Sequence, residues 1–184
     1  MYKQCRTEQS SARQQTLEKG LLELMKQLRY EDISVSNLCG HMGIPRKAFY
    51  RYFSGKDGCL FALLDHTMLS FFFQLPSGNP FCALQELERF FTFWYCQKDL
   101  LDVLAKSNLS GLLVERATVL ASQERMFPRE FLPLGAEAQT IAISFAVCGI
   151  MSMMIQWHRT GFLQSPQEMT RLSRLLLTKP LLPG

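Results

Sequence analysis

The sequence predicts an all-α protein, a three-helix head followed by a larger helical body, with about nine helices in all. Apolar residues recur at helical spacing through most of the 184 residues, no segment alternates with period two over a useful length, and β-hairpin turn pairs are missing. Near mid-chain the one strong punctuation is the turn cluster Leu75-Pro-Ser-Gly-Asn-Pro80. The expected organisation is an arm over 1–10, a helical head over 11–66 and a helical body over 67–184.

The first helix is expected from about Ser10 to Leu28, with Leu17, Leu21, Leu24, Met25 and Leu28 as its inward stripe. Two short helices follow around a glycine turn. Ser34 can cap the first of them, because its hydroxyl accepts from an otherwise unpaired backbone N–H, and Val35, Leu38, Cys39 and Met42 form its inner face. Gly43 supplies a turn conformation that residues with a Cβ resist. Pro45 restarts the chain in the first turn of the second helix, where its fixed φ suits and its missing N–H costs nothing. That helix would bury Ile44, Ala48, Phe49 and Phe53 and show Arg46, Lys47, Tyr50, Arg51 and Tyr52 on its other side.

From Ile33 to Lys56 the chain runs 24 residues without an acidic side chain, while carrying Arg46, Lys47, Arg51 and Lys56 with Ser34, Ser36, Tyr50 and Tyr52 interleaved. Two helices joined by a short glycine turn, the second basic and aromatic, are the arrangement that sets a recognition helix in the major groove. An ordinary amphipathic pair with a solvated basic face has the same charge pattern.

The segment resembles the N-terminal domain of the tetracycline-repressor (TetR) family of bacterial transcription regulators. The family pattern is Thr/Ser-Val-x-x-Ile/Leu-Ala-x-x-x-Gly-Val-x-x-x-x-Phe/Leu-Tyr-x-Tyr/His-Phe-x-x-Lys. Here it reads S-V-S-N-L-C-G-H-M-G-I-P-R-K-A-F-Y-R-Y-F-S-G-K from Ser34 to Lys56, with the motif helices within 34–53. The resemblance covers about the first third of the chain; the rest is similar only in helical layout. It implies that Ser34, Ser36, Arg46, Lys47, Ala48, Tyr50, Arg51, Tyr52 and Lys56 make the DNA-binding face. Within it, Tyr50, Tyr52 and Lys56 fall at phosphate or sugar positions, and Ser36, Arg46, Lys47 and Ala48 fall where family members reach base edges. The chain departs from the pattern at Lys47 and Ala48, where Gly then Thr is common, at Arg29, which replaces a usual Gly, and at Gly58, which replaces a usual acidic residue. Arg46 is the best single candidate for sequence readout, since a guanidinium pairs with both guanine acceptors.

In the body, a long helix after Lys56 should carry Leu60, Phe61, Leu64, Met68 and Phe72, and a helix after Pro80 should place Leu84, Leu87, Phe91 and Trp94 on one face. Short apolar helices are expected near Leu100–Leu104 and Leu109–Met126, then an uncharged helix ending at Arg159, then an amphipathic helix to about Thr178. The resemblance implies that the last two long helices pair with their copies in a homodimer. Ala142, Ala146 and Gly149 would allow close approach there, although a central core helix would look similar. The body's aromatic and methionine content also suits an effector pocket, for which Phe72, Phe90, Phe91, Trp94, Phe127, Phe145, Met151 and Met154 are the candidates, although ordinary core would look the same. Few polar side chains punctuate these helices, so the expected effector is small and apolar or amphipathic. The tail from Trp157 to Met169 looks like tails of a family branch that includes dihydroxyacetone-kinase operon regulators; no effector is assigned from it.

Net charge is +4, with ten Lys/Arg against seven Asp/Glu from Met1 to His66 and ten against nine from Thr67 onward. The modest excess in the head suits steering to DNA through one patch. Six cysteines are scattered without a C-x-x-C pair, and read as small buried hydrophobes of a reducing, cytoplasmic compartment. The histidines are too dispersed for a metal site, and neither a cofactor motif nor a nucleophile-base grouping is visible, so a non-enzyme is expected. Ala138 to His158 carries no charge, but its continuous apolar part is shorter than the roughly 20 residues a membrane span needs, so a buried or interface helix is expected. The resulting expectation is a ligand-responsive repressor that binds a palindromic double-stranded DNA operator as a homodimer. The alternatives are an activator of the same family, or a helical protein-interaction module without DNA binding.

Overall fold

The computed structural model describes residues 1–5, 7–72, 84–123 and 135–178. Among them are nine α-helices: α1 (Glu8–Gln27), α2 (Val35–His41), α3 (Arg46–Phe49), α4 (Lys56–Phe72), α5 (Leu84–Cys96), α6 (Lys98–Lys106), α7 (Ser110–Gln123), α8 (Ala136–Arg159) and α9 (Pro166–Thr178). A single 3-10 turn, Tyr30–Asp32, lies between α1 and α2. Extended pairing among the described residues is limited to one bridge, Tyr2 with Phe53.

The chain divides into two compact units, one of Met1–Met68 with Asp102–Leu109, the other of Leu69–Leu101 with Ser110–Gly184. The first unit is the head. The sequence predicts a body from Thr67 onward, and in the fold Asp102–Leu109, with the end of α6, groups with the head. Its side chains explain why: the Lys106 ammonium donates to the Lys26 and Gln27 carbonyls at 3.2 and 3.3 Å. Buried Ser107 accepts the Tyr30 N–H through Oγ at 2.9 Å. Helix ends leave carbonyls without intrahelical partners, and Lys106 supplies donors for two of them at the end of α1.

The inner face of α1 holds Leu17, Leu21, Leu24 and Met25 as expected, together with buried Gln14 and Glu18. Leu28 does not join them; it follows the last turn with extended backbone and is 39% exposed. Buried polar groups need partners, and both have them. Gln14 accepts from the Cys5 thiol and donates to the Lys3 carbonyl, while Glu18 receives His66 Nδ1 from α4 at 3.0 Å.

In the body unit, α5 packs on α9 and α7 on α8. Phe90, Phe91 and Trp94 of α5 are buried, with Phe71 edge-on to Phe90 at 5.8 Å and Phe91 edge-on to Trp157 at 5.5 Å. α8 buries Ile143, Val147, Met151, Met154 and Trp157. It ends where Gly161 and Phe162 adopt φ of 73° and 58°, and the Trp157 indole N–H donates to the Gln164 carbonyl at 2.9 Å. Its opposite face is open: Ile141 is 70% and Phe145 81% exposed. By length and composition alone α8 could cross a membrane; its inner stripe is packed against protein.

Candidate nucleic-acid interface

Ser34 and Asn37 cap α2 reciprocally. Ser34 Oγ accepts the Asn37 N–H at 3.1 Å, and Asn37 Oδ1 accepts the Ser34 N–H at 3.0 Å. Leu38 and Cys39 seat the helix in the core, which leaves Ser36 exposed. Gly43 makes the turn with φ of 63°, in the left-handed region where a Cβ is disfavoured. Pro45 stands immediately before the helix, as its N-cap. The second helix is a single turn and ends at Phe49, shorter than the apolar pattern to Phe53 suggested. Phe49 and Phe53 are 0% and 2% exposed, with ring centroids 5.2 Å apart.

This anchoring turns Arg46, Lys47, Tyr50 and Arg51 outward together. Arg46 Nη2 lies 3.5 Å from the Tyr50 hydroxyl, and its guanidinium carbon is 5.9 Å from that ring's centroid, so the two side chains extend over the same stretch of surface. Ala48 and Tyr52 are half-buried. No ion pair to Arg46, Lys47 or Arg51 is found among the described residues. An acid-free face with three unpaired cations and a phenol is chemically suited to a polyanion.

Two expected contacts lie elsewhere. Ser34 is engaged in the cap. Lys56 does not present its ammonium outward: Nζ donates to the carbonyls of Tyr30, Glu31 and Ile33 at 2.8, 3.2 and 2.7 Å, and sits 4.5 Å from the Tyr30 ring centroid. An ammonium has three donors, so the phosphate role expected for this side chain gives way to a clamp on the turn that precedes α2. Burial, then the hydrogen bond to Asp57, push the Tyr30 hydroxyl pKa up, which keeps it a donor.

The departures from the motif have local causes at two positions. Arg29 forms an ion pair with Glu31 at 2.6 Å. A Cβ on Gly58 would stand 2.4 Å from the Met1 carbonyl oxygen, so backbone occupies the space a side chain would need. Nothing in the structure explains Lys47 or Ala48.

The effector candidates separate. Phe90, Phe91, Trp94, Met151 and Met154 are each buried in the body, and Phe72 is half-buried. Phe145 is a correction: it lies on the open face of α8. Phe127 lies outside the described residues. Cysteines divide too, with Cys39 and Cys59 buried, Cys5 half-buried, and Cys96 and Cys148 exposed against expectation; Cys82 is outside the described residues. Burial pushes the Cys39 and Cys59 thiols up, away from the reactive thiolate. Among the described residues no cluster of metal-ligating side chains occurs.

No protein-family model matches the chain, and no curated sequence matches it. Solved structures do. The dihydroxyacetone kinase operon activator DhaS is 17% identical, with 89% of this chain and 93% of that chain covered and a TM-score of 0.54. The fatty acid degradation regulator FadR from Bacillus halodurans is 16% identical, with 91% and 95% covered and a TM-score of 0.55. A transcriptional regulator of the TetR/AcrR family from Thermobifida fusca YX-ER1 is 16% identical, with 91% and 97% covered and a TM-score of 0.44. At such identities the first two establish a shared all-α fold.

Proposed function

We propose that this chain, which has the helical fold of the TetR-like regulators, is a sequence-specific DNA-binding transcription regulator acting as a ligand-responsive repressor in the cytoplasm. The observation that carries the proposal is the outward grouping of Ser36, Arg46, Lys47, Tyr50 and Arg51 on a capped, aromatic-anchored helix pair with no acidic residue in it. Ser36, Arg46, Lys47 and Ala48 read base edges. Tyr50, Arg51 and Tyr52 hold phosphate, while Ser34 and Lys56 fix the frame.

A single turn of recognition helix reaches few base pairs, so specificity requires two heads on a palindrome. The open apolar face of α8, with Ile141, Phe145 and Gly149, supports a homodimer. A small apolar or amphipathic effector would act in the aromatic body, and it must bind the non-binding head spacing more tightly or DNA affinity will not change. Activation is the second reading, favoured by the operon activator among the similar structures.

Selection of duplexes from a random pool tests the proposal. The expected outcome is a palindromic site protected as two half-sites, with affinity falling steeply in salt. A pool without enrichment removes the DNA-binding function, and a protein-docking module would give that result.

A further inference from the structure

We infer that Lys3 is an additional phosphate contact of the DNA-binding face, held beside Tyr52 by a strap formed from residues 1–5; the inference rests on the DNA-binding reading above. Tyr2 and Phe53 form an antiparallel pair, flanked by bonds from the Lys3 N–H to the Tyr52 carbonyl at 2.9 Å and from the Ser54 N–H to the Met1 carbonyl at 3.1 Å. Bonds on either side of a pair, with none between its members, mark the kind in which both side chains lie close together on one face. Phe53 is 2% exposed, so that face is the inner one. There the Tyr2 hydroxyl donates to Asp65 Oδ2 at 2.8 Å, and its ring meets His66 edge-on at 5.7 Å.

Successive residues of an extended segment alternate faces. Lys3 therefore points away from the core, on the side of Tyr52, and it is exposed. Its backbone is held from both directions, the N–H by Tyr52 and the carbonyl by Gln14 Nε2 at 3.3 Å. Gly58 completes the seat: the Met1 carbonyl lies where a Cβ would be, at 2.4 Å. A strap tied at Tyr52, Ser54, Asp65 and Gln14 places one cation next to the residues that directly follow α3. No carboxylate among the described residues is paired with that cation. A flexible, compact ammonium suits a phosphate oxygen better than bidentate base recognition.

The test measures affinity of the full chain for a mixed-sequence duplex and for a duplex selected by the wild type, across a salt series. Each phosphate neutralised contributes about 0.9 to the slope of log K against log salt. Lys3→Gln changes only an exposed side chain and is expected to flatten that slope by about one unit on both duplexes, with Lys3→Arg restoring it. Gly58→Ala, which displaces the strap, is expected to weaken binding likewise, and adding Lys3→Gln to it should then change nothing further. An unaltered slope in Lys3→Gln, or full additivity in the double variant, overturns the inference while leaving DNA binding in place. Wild-type protein that binds neither duplex overturns both.

Discussion

Glu18 on α1 and His66 on α4 are joined inside the head, with His66 Nδ1 lying 3.0 Å from both carboxylate oxygens. The hydrogen bond donated to the Glu18 carboxylate raises the imidazole pKa most, partial burial opposes it, and the charges of Glu18 and Asp65 add to the rise. The Tyr2 ring covers another side. A pKa higher in the folded than in the unfolded chain means stabilisation that is complete below the ordinary imidazole value of about 6.5 and fades as pH rises through the folded value. Thermal unfolding midpoints should therefore fall as pH is raised above about 6.5 and through the folded value. His66→Gln should flatten the profile, and an equally steep profile in that variant would place the titration elsewhere.

Lys56 separates a structural cation from a DNA-contacting one. Removing its ammonium leaves the carbonyls of Tyr30, Glu31 and Ile33 without that donor. Bonds from a charged donor contribute more than neutral ones, so Lys56→Gln should destabilise the head by about 2–3 kcal/mol in urea unfolding. The salt slope of DNA binding should stay at the wild-type value. A slope flatter by about one unit, with stability unchanged, would restore the phosphate role.

Arg46 and Lys47 are adjacent, exposed and chemically different. A guanidinium can hold both acceptors of one guanine, whereas an ammonium is a point charge. Arg46→Ala should lose about 1–3 kcal/mol on the selected operator and much less on mixed sequence. Lys47→Ala removes a point charge without bidentate geometry, so its loss should differ less between the two duplexes than that of Arg46→Ala. Competition binding with the two duplexes distinguishes them, and equal losses for Arg46→Ala would end its reading role.

The helix pair was legible because local chemistry marks its boundaries: a hydroxyl cap at Ser34, a left-handed turn at Gly43, Pro45 ahead of the second helix and Phe49 beneath it. What was not legible depends on contacts remote in sequence. Ser107 meets Tyr30 across 77 positions, and nothing around either residue announces it. Lys56 fits a phosphate motif by spacing, while its destination is decided by carbonyls that only the folded turn brings together. Gln14 and Glu18 did leave a signal, since both fall on the helical stripe of Leu17, Leu21 and Leu24, and a polar residue on such a stripe implies a buried partner. Phe145 misled because an apolar residue looks the same whether it faces the core or an interface.

Phe91 tests whether the aromatic centre of the body is packed core. It is 0% exposed and lies 5.3 Å from the Phe90 ring and 5.5 Å from the Trp157 ring, both edge-on. Truncating a fully enclosed phenylalanine costs transfer free energy plus a cavity, so Phe91→Ala should lose about 3–5 kcal/mol in chemical denaturation. A loss below about 1 kcal/mol would mean the site collapses readily or already borders a space, and would favour its role as a pocket wall.

The open face of α8 carries the strongest test of assembly. Ile141 and Phe145 are 70% and 81% exposed, one helical turn apart, and a Cβ added at Gly149, one turn further on, would meet nothing within 4 Å. Fully burying a large apolar side chain is worth about 1.5–3 kcal/mol. In a two-fold interface each substitution occurs twice, so Phe145→Asp should cost the dimer about 3–6 kcal/mol, roughly a hundredfold or more in its dissociation constant. Because the residue is exposed within one chain, the monomer should keep its helical circular dichroism. Sedimentation should then show monomer where the wild type is dimeric, and the operator footprint should be lost at protein concentrations that saturate it for the wild type. A wild type that sediments as monomer, or a Phe145→Asp variant that remains as tight a dimer, would remove α8 from the interface.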